Sequence, residues 1–491
     1  MDSGTLNEIR QKGEAFLKAL NGELLDHLCG LKKESKLKEI YNSYRELGDY
    51  DLFFEMVKLS NEKERGFKLI RDFLARFTVE SRFACFKDQI LRIEAGEEIT
   101  LDKKHIPYRA IIAEIKKEPL RVKREEMYIK RDSILTKLTP ILIQIFETAH
   151  ETSRELGFPD YLQLCAEIEE LNLYELEKQA RTLLNDTEYL YRDLLRWFLK
   201  KKMALKLTEL KAYDLHYLLN SFELRENFPQ IELKPLAEAF LKEMGLEIGK
   251  GILLDFEKRN TKTVNALCIP VEIPNKIVIV GYPIGGVYDY ESFLHSLGVA
   301  LYYRYKEPED PFEFKRLGDS ASVKVFGCLF RNLLFQPKWL KRYLQLKPGT
   351  DFLQFLCLKM ISDVRYLSGK LLYELLLHRN NGFYNDKPDL YRQMLKEAML
   401  CEYSKDEYLN DMDLFFRTAT ELKAYIMEAQ LKTFLRERFD EEWWREKKAG
   451  DFIKRIWEEG SRLSSKDLSS MIGSGDIQTE PFLAFLQEFF R

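Results

Sequence analysis

Six histidines, at positions 27, 105, 150, 216, 295 and 378, are the side chains best suited to holding a metal or moving a proton near neutral pH. No two lie three or four residues apart, the spacing that would set a pair of imidazoles on one helix face. Seven cysteines, at 29, 85, 165, 268, 328, 357 and 401, stand singly without a CxxC pair, so neither a thiolate zinc site nor a disulfide framework is indicated. Cys328 sits beside Leu329 and Phe330 on an apolar face and reads as a core thiol. Ser296 follows His295, but neighbours on a helix diverge by about 100 degrees and do not form a nucleophile–base pair. Gly285 and Gly286 precede a helix without a phosphate-loop pattern and read as a turn. Trp443-Trp444 and the tyrosines at 302, 303 and 305 read as core and cleft packing, since no basic excess accompanies them.

His295 is the histidine with a frame around it. From Gly281 to Lys324 the chain reads as a strand end, a glycine turn, an apolar helix, a loop and the start of a second helix. In zinc peptidases with an H-E-x-x-H helix, two histidines one turn apart bind the metal, the intervening Glu is the general base, and a Glu from a later helix completes the site. Here the helix reads His295-Ser296-Leu297-Gly298-Val299. Its flanks, Pro283, Gly285, Gly286, Asp289, Tyr290 and Leu294 before and Arg316, Gly318 and Asp319 after, resemble a branch of the M3-type, oligopeptidase-like (gluzincin) metallopeptidases. The segments 365–378, 408–413, 422–439 and 441–453 resemble the same branch, so the likeness covers at least residues 250–455.

The resemblance implies a zincin-like fold and assigns positions. His295 falls on the first zinc ligand, Ser296 on the general base, Val299 on the second ligand and Lys324 on the third. Arg417 and Glu421 fall where the family tends to place tyrosines near the substrate carbonyl. Asp319, Gly285, Gly286, Tyr290 and His378 are candidates for the surroundings of that cleft, with His295 expected to sit against Asp319 or a neighbouring backbone group. A catalytic zinc needs three protein ligands and this set offers one. An ammonium at position 324 repels a dication, and the Ser296 hydroxyl has no carboxylate's proton affinity. The family cofactor is zinc; none is expected here.

The elements that must position these residues are mainly α-helical. Leu6 to about Ile90 repeats apolar residues at three and four, and helices continue to Gly245, with Asp186 or Thr187 as a cap. Charged residues along them read as solvated faces. RELGDYDLFFEMV and ELGFPDYLQLCAEI share a loop-into-helix shape, too short an echo to establish a repeat. The period changes after Gly251: ILLD, NALCIPVEIP and NKIVIV are short β-branched runs broken by prolines, one small sheet at about residues 250–283 beside the site helix. Helices then run to the end, including one over about 413–439. Two regions are expected: a helical N-terminal region, 1–245, and a degenerate M3-like catalytic region, 246–491.

A chain of 491 residues with 45% hydrophobic content can bury a large core. Lys+Arg 77 against Asp+Glu 80 gives no support for nucleic acid as a partner, and no run approaches the roughly 20 apolar residues that span a bilayer. The N-terminus shows no leader pattern, and sparse thiols fit a cytoplasmic location. The expectation is an inactive M3-like homologue whose cleft takes a peptide or a protein partner, with no membrane association. The alternatives are an active zinc oligopeptidase using unusual ligands such as Asp289, Glu291 or Asp319, and a structural helical protein with a filled cleft.

Overall fold

Apolar periodicity of three and four carries most of this chain into helices. The computed structural model, which describes residues 3–62, 64–220, 228, 233–259, 261–379 and 387–490, is mainly α-helical with two small sheets. In chain order, the helices that build the site are α1 (Ser3–Leu28), α2 (Arg65–Gly96), α3 (Arg121–Glu155), α4 (Tyr161–Ile168) and α5 (Leu173–Met203), then α6 (Val287–Arg304), α7 (Ser320–Arg331), α8 (Thr350–Arg379) and α9 (Arg417–Arg438). Asn172 caps α5, its side chain accepting from Glu175 N at 3.1 Å. The expected cap at Asp186 or Thr187 is corrected: both lie inside α5, where Thr187 Oγ1 donates to the Leu183 carbonyl.

The first sheet is a hairpin of β1 (Glu98–Leu101) and β2 (Lys104–Pro107), an addition to the single sheet expected. Its two-residue turn, Asp102-Lys103, has φ of 49° and 65°, the left-handed pair that a tight hairpin needs and that glycine or asparagine usually supplies. The second sheet lies where the β-branched runs placed it: β3 (Ile252–Asp255), β4 (Leu267–Glu272) and β5 (Lys276–Val280), in the order β3-β5-β4. β3 runs parallel to β5 and β4 antiparallel, with Leu267 opposite Val280 and Cys268 opposite Ile279. Central β5 is buried from Ile277 to Val280, which explains its unbroken apolar run, while Pro270 lies on edge strand β4, where its missing N–H costs no ladder bond. Helix α6 packs on β4 and β5, and α1 crosses the whole chain to pack on β4.

Helix α9 is buried from Thr418 to Lys432 except at Glu421. It begins at Arg417 rather than Asp413, because Phe415 and Phe416 adopt φ of 56° and 51°. These values are strained for bulky residues, and the fold pins them: Phe415 N donates to Tyr161 Oη at 2.7 Å, and the Arg76 guanidinium lies 4.2 Å from the Phe415 ring centre.

The expectation of solvated charged faces holds along most of α3 and α5, with exceptions. Some charged residues face the interior in pairs across elements: Arg124 with Asp214, Arg131 with Glu407, Lys359 with Glu291, and Lys370 with Asp411. Helical periodicity marks which face a charge lies on but not that an opposite charge awaits it from another helix.

Candidate functional site

The turn that launches α6 explains the Pro-x-Gly-Gly-x-x-Asp pattern. Gly285 and Gly286 take φ of 95° and 98°, a region side chains disfavour, and Asp289 folds back to accept from Ile284 N at 3.0 Å and Gly285 N at 2.6 Å. Two glycines then let α6 and α7 touch. A Cβ on Gly298 would lie 2.3 Å from the Phe326 carbonyl oxygen, and one on Gly327 would lie 2.8 Å from His295 Nε2. The crossing sets His295 directly over α7, one turn from Lys324.

The Arg-x-Gly-Asp step is equally specific. Arg316 donates to the carbonyls of Pro270 and Val271 at 2.7 and 2.8 Å and to Glu14, tying β4 to α1. Gly318, at φ 118°, leaves room for Ser461. Asp319 caps α7, accepting from Ser322 N, Ser322 Oγ and Ser465 N at 3.0, 2.6 and 3.1 Å. Of the surroundings expected for His295, Asp319 is thus taken by its cap, and the imidazole lies instead against the backbone of α7 at Gly327.

His295, Ser296, Val299, Lys324 and Arg417 all line one cavity of about 370 Å³. The Ser296 hydroxyl donates to the Ala266 carbonyl at 2.8 Å. Lys324 Nζ donates to Thr420 Oγ1 at 2.6 Å and to the Arg417 carbonyl at 3.3 Å, and lies 3.5 Å from Glu421 Oε1. Arg417 Nε donates to the same carboxylate oxygen at 3.1 Å. Burial opposes ionisation of Glu421, but Lys324, Arg417 and Lys370 outweigh it and hold the carboxyl at about 2. Burial lowers the Lys324 ammonium from its ordinary value, with Glu421 opposing. Burial, reinforced by Arg331, pushes the His295 imidazole down to about 3, so it is neutral.

A catalytic zinc does not fit this donor set. His295 offers one nitrogen, Val299 offers nothing, and Lys324 brings a cationic head already paired with Glu421. The carboxylates that could have substituted are engaged elsewhere: Asp289 in its turn, Asp319 in its cap, and Glu291 against Lys359 at 3.0 Å. Among the described residues no three His, Cys, Asp or Glu side chains gather as a metal site.

Other expected neighbours lie apart from the cavity. Tyr290 is fully buried, its ring 5.0 Å from that of Phe228. His378 is buried, its Nδ1 3.1 Å from His150 Nε2, among the rings of Phe146, Tyr161 and Phe416. Burial holds both imidazoles down, His150 to about 4 and His378 well below its ordinary value. A base whose folded pKa lies below its unfolded one stays neutral in the fold while the unfolded chain takes protons, so these two cost stability as pH falls below about 6.5. Their C2–H resonances are expected not to move between pH 8 and 5; titration near 6.5 would contradict this.

Sequence reasoning missed Arg76, Asp72 and Arg316 as cavity residues. Arg316 lay within the quoted pattern; Arg76 and Asp72 come from α2, more than 200 residues away, and carried no local signal.

No protein-family model matches the chain, and no curated protein is similar to it in sequence. Solved structures are similar. PZ peptidase A, in a structure with inhibitor 2, aligns at a TM-score of 0.66 and 12% identity, over 90% of this chain and 83% of that one. A putative oligoendopeptidase F from Bacillus anthracis aligns at 0.63 and 13%, over 99% and 85%. The Pyrococcus furiosus carboxypeptidase, in its apo-Mg structure, aligns at 0.61 and 14%, over the full length of both. The chain has the fold of these peptidases. No described helix is long and apolar enough to cross a membrane.

Proposed function

We propose that this protein is a catalytically inactive relative of the M3-type oligopeptidases whose cavity binds rather than cleaves. The observation that carries the proposal is the Lys324–Glu421–Arg417 cluster at the third ligand position. A lost ligand alone would leave a gap; here the place is filled by an ion pair that fixes α7 to α9 and puts positive charge where a metal would have put it. The alternative ligand set finds no support in the positions of Asp289, Glu291 and Asp319. An open volume beside His295 speaks against a filled cleft. The reading includes a peptide or protein as partner, neither nucleic acid nor membrane, and a cytoplasmic setting suggested by single thiols without disulfides.

Zinc content by plasma mass spectrometry, with turnover of a quenched-fluorescence peptide library with and without chelator, tests it. The expected result is less than about 0.1 zinc per chain and no chelator-sensitive cleavage, because one ligand of three holds no catalytic zinc. Stoichiometric zinc together with such cleavage would overturn the proposal.

A further inference from the structure

The cavity beside His295 has a charge pattern that the loss of a zinc site does not account for. Four lining side chains are cationic, Arg76, Arg316, Lys324 and Arg417, against one carboxylate, Asp72. Asp72 is already met by Lys68 at 3.1 Å and Arg71 at 2.6 Å. Arg316 is 2% exposed and spends its guanidinium on Glu14 and two carbonyls. Lys324 is spent on Thr420 and Glu421.

Arg76 and Arg417 remain. Arg76 meets Glu169 through Nη2 alone, and Arg417 meets Glu421 through Nε alone; among the described residues their other guanidinium nitrogens have no hydrogen-bond partner. The two side chains are 33% and 57% exposed. A guanidinium with open N–H groups beside apolar walls suits a carboxylate, which accepts two parallel bonds in the plane of the fork. The walls are supplied by Leu17, Leu69, Phe73 and Val323.

The other common way to hold a peptide is obstructed on both sides of the cavity. An exposed sheet edge can take a peptide as an added strand. Edge strand β4 borders the cavity at Leu267 and Cys268, but Ser296 occupies the carbonyl of Ala266 just before it, Asn21 and Arg316 that of Pro270, and Arg316 that of Val271 beyond it. Charge and apolar contact are therefore the larger part of what the cavity offers a ligand. A volume of about 370 Å³ sits at the small end of ligand cavities, roughly 300–1,000 Å³, and suits one or two residues rather than a long segment.

We propose that the cavity binds the C-terminal end of a short peptide, Arg76 and Arg417 taking its carboxylate and the Leu17–Leu69–Phe73–Val323 wall taking its apolar side chain. This rests on the reading of the site as one that binds without cleaving. Calorimetric titration of the 491-residue chain with N-acetyl-leucyl-phenylalanine, its C-terminal amide and octanoate tests it. The free acid is expected to bind at least about tenfold more tightly than the amide, one lost charge-assisted pair being of that order. Arg417→Gln, at an exposed position, should remove most of the difference between acid and amide, Arg76 keeping the remainder, and Arg417→Lys should restore part of what is lost. Equal binding of acid and amide, or no binding of the acid at millimolar concentration, would overturn the inference. Octanoate binding as tightly as the dipeptide would overturn the peptide as the carboxylate's source. Failure of the parent reading would appear separately, as zinc in the protein.

Discussion

The triple variant Ser296→Glu, Val299→His, Lys324→Glu is expected to bind one zinc per chain, with affinity at least about 100-fold above the native protein. All three positions and His295 line the same cavity. His295 and position 299 lie one turn apart on α6, and the glycine contact at Gly298 and Gly327 fixes α7 against that face. Two imidazoles and a carboxylate make the three-ligand set of a catalytic zinc site. The variant also carries an internal control. Lys324→Glu places a carboxylate beside Glu421, which the lysine now partners at 3.5 Å. Without metal the two repel, so the variant should melt below the native protein. Zinc at about 100 times its dissociation constant should return about 2.7 kcal/mol, seen as a rise in melting temperature absent from the native protein. If zinc changes neither metal content nor melting, the helices have drifted from ligand geometry and the site is more than three substitutions from its origin. Hydrolysis need not return, because Arg417 and Glu421 keep their ion pair.

What the sequence made legible follows from which interactions are local. The small sheet was readable because β-branched runs and prolines report strand and edge directly, and Pro270 does lie on an edge strand. The turn before α6 was readable because Gly285, Gly286 and Asp289 act within seven residues. The β1–β2 hairpin was not, since Asp102 and Lys103 adopt left-handed backbone without the glycine that announces it. Nor was the late start of α9: Phe415 is held by Tyr161 and Arg76, which lie far off in the chain. The cavity shows the same division. Its α6 and α7 residues came from one continuous frame, whereas Arg76, brought by α2, and the pairing of Lys324 with Glu421 exist only after folding.

The second large effect concerns the helix that carries His295. Glu291, one turn before it, is buried and lies 3.0 Å from Lys359 on α8, and its Oε1 has no hydrogen-bond partner among the described residues. Lys359→Met is expected to destabilise the protein by about 3–5 kcal/mol, because it strands a carboxylate in the interior. Glu291 has a way out. Burial already pushes its pKa up, and without the lysine it takes a proton in the fold. The unfolded chain gives that proton up above about 4.3, so the cost should grow with rising pH, by up to about 1.4 kcal/mol per unit, until the folded group ionises. Urea denaturation of the variant and the native protein at several pH values between 5 and 8 measures both the size and the slope. The double variant Glu291→Leu, Lys359→Met should recover most of the loss at every pH, since an apolar pair of similar volume removes the stranded charge. A single variant whose loss is below about 1 kcal/mol, or independent of pH, would mean water reaches Glu291. The turn of α6 before His295 would then be softer than the turn after it, which the Gly298–Phe326 contact holds against α7.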